Sequence, residues 1–313
     1  MEIIFHIFGN IYFRTPMWSR VSSLAKGIPA SYILCSEKFV KLTRGLYPKD
    51  FHEAFSFYPL SCDSNFSYEK NSLLKKKIGL ELDSKIILYT GRISPSKNID
   101  GIINICEGLR ELRKDFTLLL IGTFDDYNHY DLQPDGSYQA FITALIKNVN
   151  SADEFIKYIP YQEEIKPYYD ISDAFISIST MDSDDYGLSI CEALSNGLET
   201  FLTDWAGYSS FRDYEGVKLF EVSHNDGQVE FDEHKIIRSL DNSLSQIDNS
   251  LREKRSTRNI KMFKKNSMRS DYKFLKQERI LVKKANLKQL SFSSNSLKLG
   301  DVENYYNHLR DLF

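Results

Sequence analysis

Short, continuously apolar runs alternate with amphipathic segments along most of the chain. Continuous apolar runs are typical of strands buried on both faces of a parallel sheet. The segments between them repeat their apolar residues at helical spacing, for example over 101–113, 137–147 and 162–169. Six strands are predicted in the middle of the chain, at 85–90, 116–121, 154–159, 174–179, 199–203 and 217–222. This alternation predicts a complete doubly wound α/β domain, which is a Rossmann-like arrangement.

The first part of the chain shows the same pattern in a shorter form. Apolar runs at 2–8, 30–35 and 54–58 predict three strands, about half of an α/β domain. Strands this apolar need cover on both faces and neighbours at their edges. We therefore expect either that earlier elements are missing from this chain or that a partner or the second domain covers the sheet.

A polar stretch at 64–84 separates the two regions, and the pattern is helical from Ile236 onward. We therefore divide the chain into a partial amino-terminal α/β domain (1–75), a complete Rossmann-like domain (76–235) and a helical, basic carboxyl-terminal segment (236–313).

An acidic loop and a helix follow the predicted strand 174–179. The loop carries Asp184 and Asp185, the helix carries Glu192, and Gly197 ends it. Ligands of open α/β sheets bind at the carboxyl ends of the strands, so these carboxylates are candidate ligand contacts. The alternative is that either aspartate caps the helix, or that Ser189 and Glu192 form a capping box.

Two cations, Arg92 and Lys97, lie in the turn that follows the strand 85–90. Such a pair at the carboxyl end of a strand suits a ligand with two phosphates. The alternative is a pair of solvated surface cations. The turn lacks the G-x-G-x-x-G pattern, which disfavours a dinucleotide site.

Residues 252–288 contain fourteen lysines and arginines. A solvated helix face is the plain interpretation, and a patch for a membrane surface or an anionic partner is the functional one.

Composition narrows the classes of function. The net charge is −3, which gives no support for a nucleic-acid partner. No apolar run reaches membrane-spanning length and no signal-peptide pattern opens the chain, so we expect a cytoplasmic protein. The four cysteines are scattered without metal-ligand spacing, and we expect reduced thiols and no metal site.

Three motifs in order resemble family 4 of the glycosyltransferases. They are Gly91-Arg92 with Lys97, Asp184 with Glu192 eight residues later, and Asp204 with Gly207. The resemblance covers about residues 1–270 and is most specific over 85–210. It implies a retaining enzyme of the GT-B architecture, in which two Rossmann-like domains face each other across a cleft.

The resemblance also implies roles for individual residues. Arg92 and Lys97 would hold the donor diphosphate, Glu192 the ribose, and Asp184 the sugar hydroxyls, while His6 would point at the donor sugar. The implied catalytic residues are His6, Arg92, Lys97 and Asp184. The implied donor-binding residues are Gly91, Gly122, Tyr158, Ile159, Asp185, Tyr186, Gly187, Leu188, Ser189 and Glu192.

The implied donor is a UDP- or GDP-linked sugar, and the implied acceptor is a glycan or a lipid-linked sugar. No cofactor and no metal are expected, and the implied pathway is cell-surface polysaccharide or glycolipid synthesis. The basic segment would allow peripheral contact with the inner face of the membrane. Two departures stand out: the family's first glutamate is Asp184 here, and the family's amino-terminal domain would start about a hundred residues earlier.

Three alternatives remain. The first is a non-catalytic remnant that binds a nucleotide sugar or nothing. The second is a dinucleotide-dependent oxidoreductase, disfavoured by the missing glycine fingerprint. The third is a GT-B phosphorylase or epimerase, for which the sequence shows no pyridoxal-type lysine motif and no epimerase histidine pair.

Overall fold

The computed structural model describes residues 3–7, 30–34, 36, 39–41, 54–56, 72–125, 137–149, 152–180, 186–225 and 228–265. In the amino-terminal part, three strands pair in parallel in the order β1-β2-β3. These strands are β1 (Ile3–His6), β2 (Ala30–Leu34) and β3 (Ala54–Ser56).

The middle of the chain forms a parallel six-stranded sheet. Its strands are β4 (Lys85–Thr90), β5 (Phe116–Ile121), β6 (Ile156–Ile159), β7 (Ala174–Ser177), β8 (Glu199–Thr203) and β9 (Val217–Phe220). Their order in the sheet is β6-β5-β4-β7-β8-β9, so the chain builds outward from β4 on one side and then returns to build from β7 on the other. This is the doubly wound order of Rossmann-like domains, and the predicted α/β fold class is confirmed.

Helices cover both faces of this sheet. They are α1 (Ser72–Lys77), α2 (Ile99–Arg110), α3 (Tyr138–Asn148), α4 (Ala152–Phe155), α5 (Lys166–Ile171), α6 (Leu188–Ser195), α7 (Glu233–Ser245) and α8 (Asn249–Lys265). Short 3₁₀ turns lie at Pro95–Lys97 and Ala206–Phe211. Among the described residues, no helix is long and apolar enough to cross a membrane.

The central strand β4 shows why its sequence is apolar at nearly every position. Ile87 and Tyr89 pack into one core with α2, α3 and α7, while Ile86 and Leu88 pack into another with α5, α6 and α8. Successive side chains of a strand point to opposite faces, so a strand covered on both faces loses the polar alternation of a surface strand.

Several predicted boundaries were wrong. Residues 154–155 belong to α4 and not to the strand that follows, and α5 begins at Lys166, later than the predicted residue 162. The last predicted strand divides into β9 and β10 (Val222–Asn225), and β10 forms an antiparallel hairpin with β11 (Gln228–Phe231).

The carboxyl-terminal helices α7 and α8 pack on the six-stranded domain, α7 against α2 and α8 against α6. Three arginines of the basic segment make internal contacts. Arg252 is 6% exposed, Arg255 pairs with Glu199 at 3.0 Å, and Arg258 pairs with Glu215. The expectation of a solvated face was therefore wrong for Arg252, and residues 266–288 lie outside the described part.

Candidate functional site

The sheet order creates a crevice at one edge. β4 and β7 are neighbours, but their connections leave in opposite directions, β4 toward β5 and β7 toward β8. At such a switch point the loops beyond the carboxyl ends of the two strands separate, and ligands of doubly wound folds bind between them. The turn Gly91–Asn98 follows β4, and α6 begins after the loop that follows β7.

Two glycines bring the ends of β4 and β5 together. A Cβ atom on Gly122 would lie only 1.7 Å from the carbonyl oxygen of Gly91. Gly91 itself has φ +144°, a conformation that favours glycine. The backbones of the two turns can therefore approach each other only because Gly122 carries no side chain.

Arg92 projects from this turn at the surface. Its guanidinium is 2.7 Å from a carboxylate oxygen of Asp125, and the two side chains are 51% and 21% exposed. The Tyr89 hydroxyl donates to the Arg92 carbonyl at 2.6 Å, which fixes the backbone beneath the cation. Lys97 ends the 3₁₀ turn and is half-buried.

Side-chain hydrogen bonds tie the turn to the strand end across the crevice floor. Ser179 Oγ donates to the Ser96 carbonyl at 2.6 Å, and Asn98 Nδ2 donates to the Ile178 carbonyl at 3.3 Å. Asn98 also caps α2 in a left-handed conformation, with its side chain accepting from the Gly101 amide. These bonds give the two sides of the crevice a fixed spacing.

Glu192 is the fifth residue of α6 and is half-buried. The Tyr169 hydroxyl of α5 lies 2.8 Å from its Oε2 atom and 2.5 Å from Thr90 Oγ1, at the end of β4. Burial raises the pKa of Glu192, and the hydrogen bond from Tyr169 opposes that rise. The structure therefore links a carboxylate on one side of the crevice to the strand end on the other.

The start of α6 contradicts the capping-box interpretation. The N-cap is Gly187, which has φ +85° and provides no side-chain cap, so Ser189 lies inside the helix. Glu192 instead accepts a hydrogen bond from Tyr169. The first amides of a helix have no partner within the helix, so this end of α6 presents donors next to an exposed Leu188.

The predicted stop at Gly197 is confirmed. Its amide donates to the Leu194 carbonyl and the Leu198 amide donates to the Ala193 carbonyl, which is a Schellman motif.

An aromatic pair lies at the outer end of the same edge. Tyr158 is 39% exposed, its hydroxyl donates to the Gly122 carbonyl at 3.1 Å, and its ring lies 5.3 Å from that of Phe124. Ile159 is buried, and its carbonyl accepts from the Gly122 amide. Tyr158, Ile159 and Gly122 thus lie together at the ends of β5 and β6.

The remaining predicted residues do not join this cluster in the described structure. His6 ends β1 in the separate amino-terminal sheet, where only its backbone is described. Asp184 and Asp185 lie outside the described residues. Tyr186 is buried, and its ring packs on Phe211 at 5.3 Å.

Three polar contacts of the site were not predicted from the sequence: Thr90, Asp125 and Tyr169. Tyr169 could not be separated from the apolar residues around it, because a buried tyrosine in a short helix has the pattern of a core residue. Among the described residues, no group of three or more His, Cys, Asp or Glu side chains could hold a metal ion.

The comparison with protein families agrees with this geometry. A sequence model described as "Glycosyl transferases group 1" matches residues 71–226, a span that holds the six-stranded sheet and both sides of the crevice. The chain carries a glycosyl transferases group 1 domain. Helices α7 and α8 extend this group 1 domain beyond the matched residues. No curated protein matches the chain significantly in sequence.

Solved structures show that the fold is that of known glycosyltransferases of the GT-B type. HepE from Anabaena, in complex with UDP, superposes with a TM-score of 0.68 at 15% identity over 88% of this chain and 71% of HepE. A glycosyltransferase from Rickettsia africae gives 0.61 at 18% identity, over 88% of this chain and 76% of that one.

WaaG, a glycosyltransferase involved in lipopolysaccharide biosynthesis, gives a TM-score of 0.58 at 15% identity over 76% of this chain. The chain spans 60% of WaaG and 50% of TarM from S. aureus, another similar structure. The group 1 domain is thus present within a chain that is shorter than these relatives.

Proposed function

We propose that the chain transfers a sugar from a nucleotide diphosphate sugar to a hydroxyl acceptor, with retention at the anomeric carbon. The observation that carries the proposal is Glu192, a half-buried carboxylate held by a tyrosine hydroxyl beside the crevice of a group 1 domain. A carboxylate accepts hydrogen bonds from vicinal hydroxyls, as the ribose of a nucleotide presents them. HepE, whose fold is similar, binds UDP and UDP-glucose.

The diphosphate of the donor would lie between the turn after β4 and the start of α6. Arg92 and Lys97 supply two cations from the turn, and the first amides of α6 supply donors from the other side. Arg92 would exchange its exposed pairing with Asp125 for a phosphate, at small cost because exposed ion pairs are weak.

In the reaction, the bond between the anomeric carbon and the phosphate oxygen breaks, and the acceptor oxygen bonds to the anomeric carbon from the same face. The acceptor proton passes to the departing phosphate. Arg92, Lys97 and the helix amides would stabilise the negative charge that grows on the leaving diphosphate. Stabilisation of such developing charge supplies most of the rate acceleration in many enzymes. No metal is then needed for charge stabilisation.

The identities of the other contacts remain proposals. His6, Asp184 and Asp185 would contact the donor sugar, and Tyr158 and Ile159 would lie near the base. The base would be uracil or guanine, and the acceptor a glycan or a lipid-linked sugar of cell-surface synthesis. Any membrane contact would use the exposed lysines of α8 or residues after Lys265, because Arg252, Arg255 and Arg258 contact the domain itself.

Turnover of nucleotide sugars tests the proposal. The chain is incubated with UDP- and GDP-linked hexoses and with simple and polyprenyl-linked sugar acceptors, and nucleoside diphosphate release is measured. We expect release with one donor, and a loss of about 100-fold or more in Arg92→Met, which removes a donor to the leaving group. Arg238→Met is the matched control, because Arg238 is exposed on α7. Nucleotide binding without release from any donor would instead favour the non-catalytic remnant.

A further inference from the structure

Three side chains connected by hydrogen bonds join the end of β4 to α6. Thr90 Oγ1 lies 2.5 Å from the Tyr169 hydroxyl, which lies 2.8 Å from Glu192 Oε2. The Ser189 carbonyl is a longer alternative acceptor, at 3.2 Å from the same hydroxyl. Tyr169 is 1% exposed and Thr90 is 5% exposed, so protein groups and not bulk water make these bonds.

The number of hydroxyl protons determines which group donates in each of these hydrogen bonds. A tyrosine hydroxyl has one proton, and a carboxylate is a stronger acceptor than a neutral oxygen. Tyr169 therefore donates to Glu192, and Thr90 donates to Tyr169. Hydrogen bonds in such a series polarise one another, which strengthens the bond to the carboxylate.

This arrangement leaves one oxygen atom of the Glu192 carboxylate available to a ligand. Tyr169 engages Oε2, while Oε1 makes no hydrogen bond to any of the described residues. Without its donor, a half-buried carboxylate would take up a proton or turn toward solvent. The Tyr169 hydroxyl therefore keeps the Glu192 carboxylate ionised and fixes its orientation.

Tyr169 is itself firmly held. Its carbonyl accepts from Arg252 Nη2 at 2.8 Å, and its ring stacks on Phe175 with the ring centres 6.1 Å apart. A group that orients another must be fixed by its own packing, and Tyr169 meets that condition.

We propose that Tyr169, supported by Thr90, is a positioning residue that orients the Glu192 carboxylate toward the ribose hydroxyls of the nucleotide. The inference rests on the proposed function, since it assumes that Glu192 binds the ribose. It adds two residues to that site that act through Glu192 and do not touch the ligand.

A double-mutant cycle, measured with nucleotides that carry or lack the ribose hydroxyls, tests the inference. Wild type, Tyr169→Phe, Glu192→Ala and the double variant are titrated calorimetrically with UDP and GDP and with the corresponding 2′,3′-dideoxynucleotides. Tyr169→Phe removes only the hydroxyl. It should weaken binding of the ribonucleotide by about 10-fold, the effect of one hydrogen bond to a charged group. It should leave binding of the dideoxynucleotide unchanged, and the double variant should match Glu192→Ala.

The outcomes separate the inference from the function on which it rests. If wild type binds neither UDP nor GDP, the proposed function and this inference are both overturned. If Glu192→Ala loses ribonucleotide binding but Tyr169→Phe does not, the inference alone is wrong. If Tyr169→Phe weakens ribo- and dideoxynucleotides equally, Tyr169 is structural and the inference is again wrong.

Substitutions of Thr90 provide a second route should Tyr169→Phe fail to fold. Thr90→Val keeps the shape and removes the hydroxyl, while Thr90→Ser keeps the hydroxyl. Thr90→Val should weaken the ribonucleotide selectively, and Thr90→Ser should bind as wild type does. Equal binding by both variants would remove Thr90 from the proposal.

Discussion

At the level of single residues, Glu192 combines a stability cost with a binding role. Burial raises its pKa, so the folded chain keeps a proton at pH values where the unfolded chain has lost it. The free energy of unfolding therefore falls as the pH rises through that window, and above it the buried carboxylate is a net cost. The ionised form is nevertheless the one that accepts two ribose hydroxyls.

Replacing Glu192 with glutamine should therefore separate stability from binding. We expect Glu192→Gln to raise the midpoint of thermal unfolding at pH 7 to 8, with an advantage that shrinks as the pH falls toward the ordinary carboxyl range near about 4.3. Nucleotide affinity should fall at the same time. Calorimetric scans over this pH range measure the first effect, and titrations measure the second.

Among the described residues, one side chain is hydrogen-bonded to the Glu192 carboxylate. Tyr169 faces it from α5, Thr90 reaches it from β4 only through Tyr169, and Arg252 of α8 donates to backbone carbonyls. Glu107→Gln is the control, because Glu107 is exposed near the end of α2. A lower unfolding midpoint for Glu192→Gln at neutral pH would show that the buried carboxylate is not a net cost.

Substitution of Gly122 tests whether the close approach of the turns after β4 and β5 shapes the site. Gly122→Ala should lower the free energy of unfolding by about 2 kcal/mol or more, because its Cβ would overlap the Gly91 carbonyl. It should also weaken nucleotide binding by moving the turn that carries Arg92. Chemical denaturation and calorimetric titration measure the two effects.

Gly79→Ala is the matched control for this substitution. Gly79 has φ +72°, but the nearest atom to its Cβ would be 3.7 Å away, so the change adds backbone strain without a clash. It should cost about 1 kcal/mol and leave binding intact. If Gly122→Ala binds nucleotide as well as Gly79→Ala does, the close approach is not part of the site.

At the level of secondary-structure elements, α8 fixes the two helices that carry the central contact. Arg252 donates to the carbonyls of Tyr169 and Ser172 at the end of α5 and of Asn196 at the end of α6. All three carbonyls would lose this donor without it. The group 1 domain therefore depends on a helix that lies beyond the residues matched by its family model.

Arg252→Met should lower the free energy of unfolding by about 2 to 4 kcal/mol, since buried carbonyls would lose their donor. Arg258→Met is the control, because Arg258 is 65% exposed and, among the described residues, makes only a surface ion pair with Glu215. Its cost should stay within about 1 kcal/mol. Denaturation curves of both variants check the contrast, and equal destabilisation would show that Arg252 does not act as a clamp.

The same elements differ in how well the sequence predicts them. The strands of the six-stranded sheet were predictable because burial on both faces leaves a continuous apolar signal, as in β4. Helix boundaries were not, because α4 and β6 follow one another without a polar break. Arg252 was interpreted as part of a basic run, since only the tertiary structure shows which cation of a helix is buried. Tyr169 was missed for a related reason. The sequence shows a buried aromatic residue, and only the tertiary structure shows that its hydroxyl contacts Glu192.

At the level of the whole molecule, the chain combines the crevice of a group 1 domain with a length shorter than that of several relatives. The sheet order, the two glycine turns and α6 place Arg92, Lys97 and Glu192 around one switch point. This part of the site was predictable because the motifs keep their order and spacing along the chain. His6, Asp184 and Asp185 stay predictions, because the contacts of their side chains fall outside the described structure.

Calorimetric titration of the 1–313 chain with UDP, GDP and ADP decides whether the crevice is a nucleotide site. We predict that UDP or GDP binds, that Glu192→Ala abolishes this binding, and that Glu107→Ala leaves it unchanged. A folded wild-type protein that binds none of the three, or Glu192→Ala that binds as tightly as wild type, would contradict a nucleotide site built around Glu192.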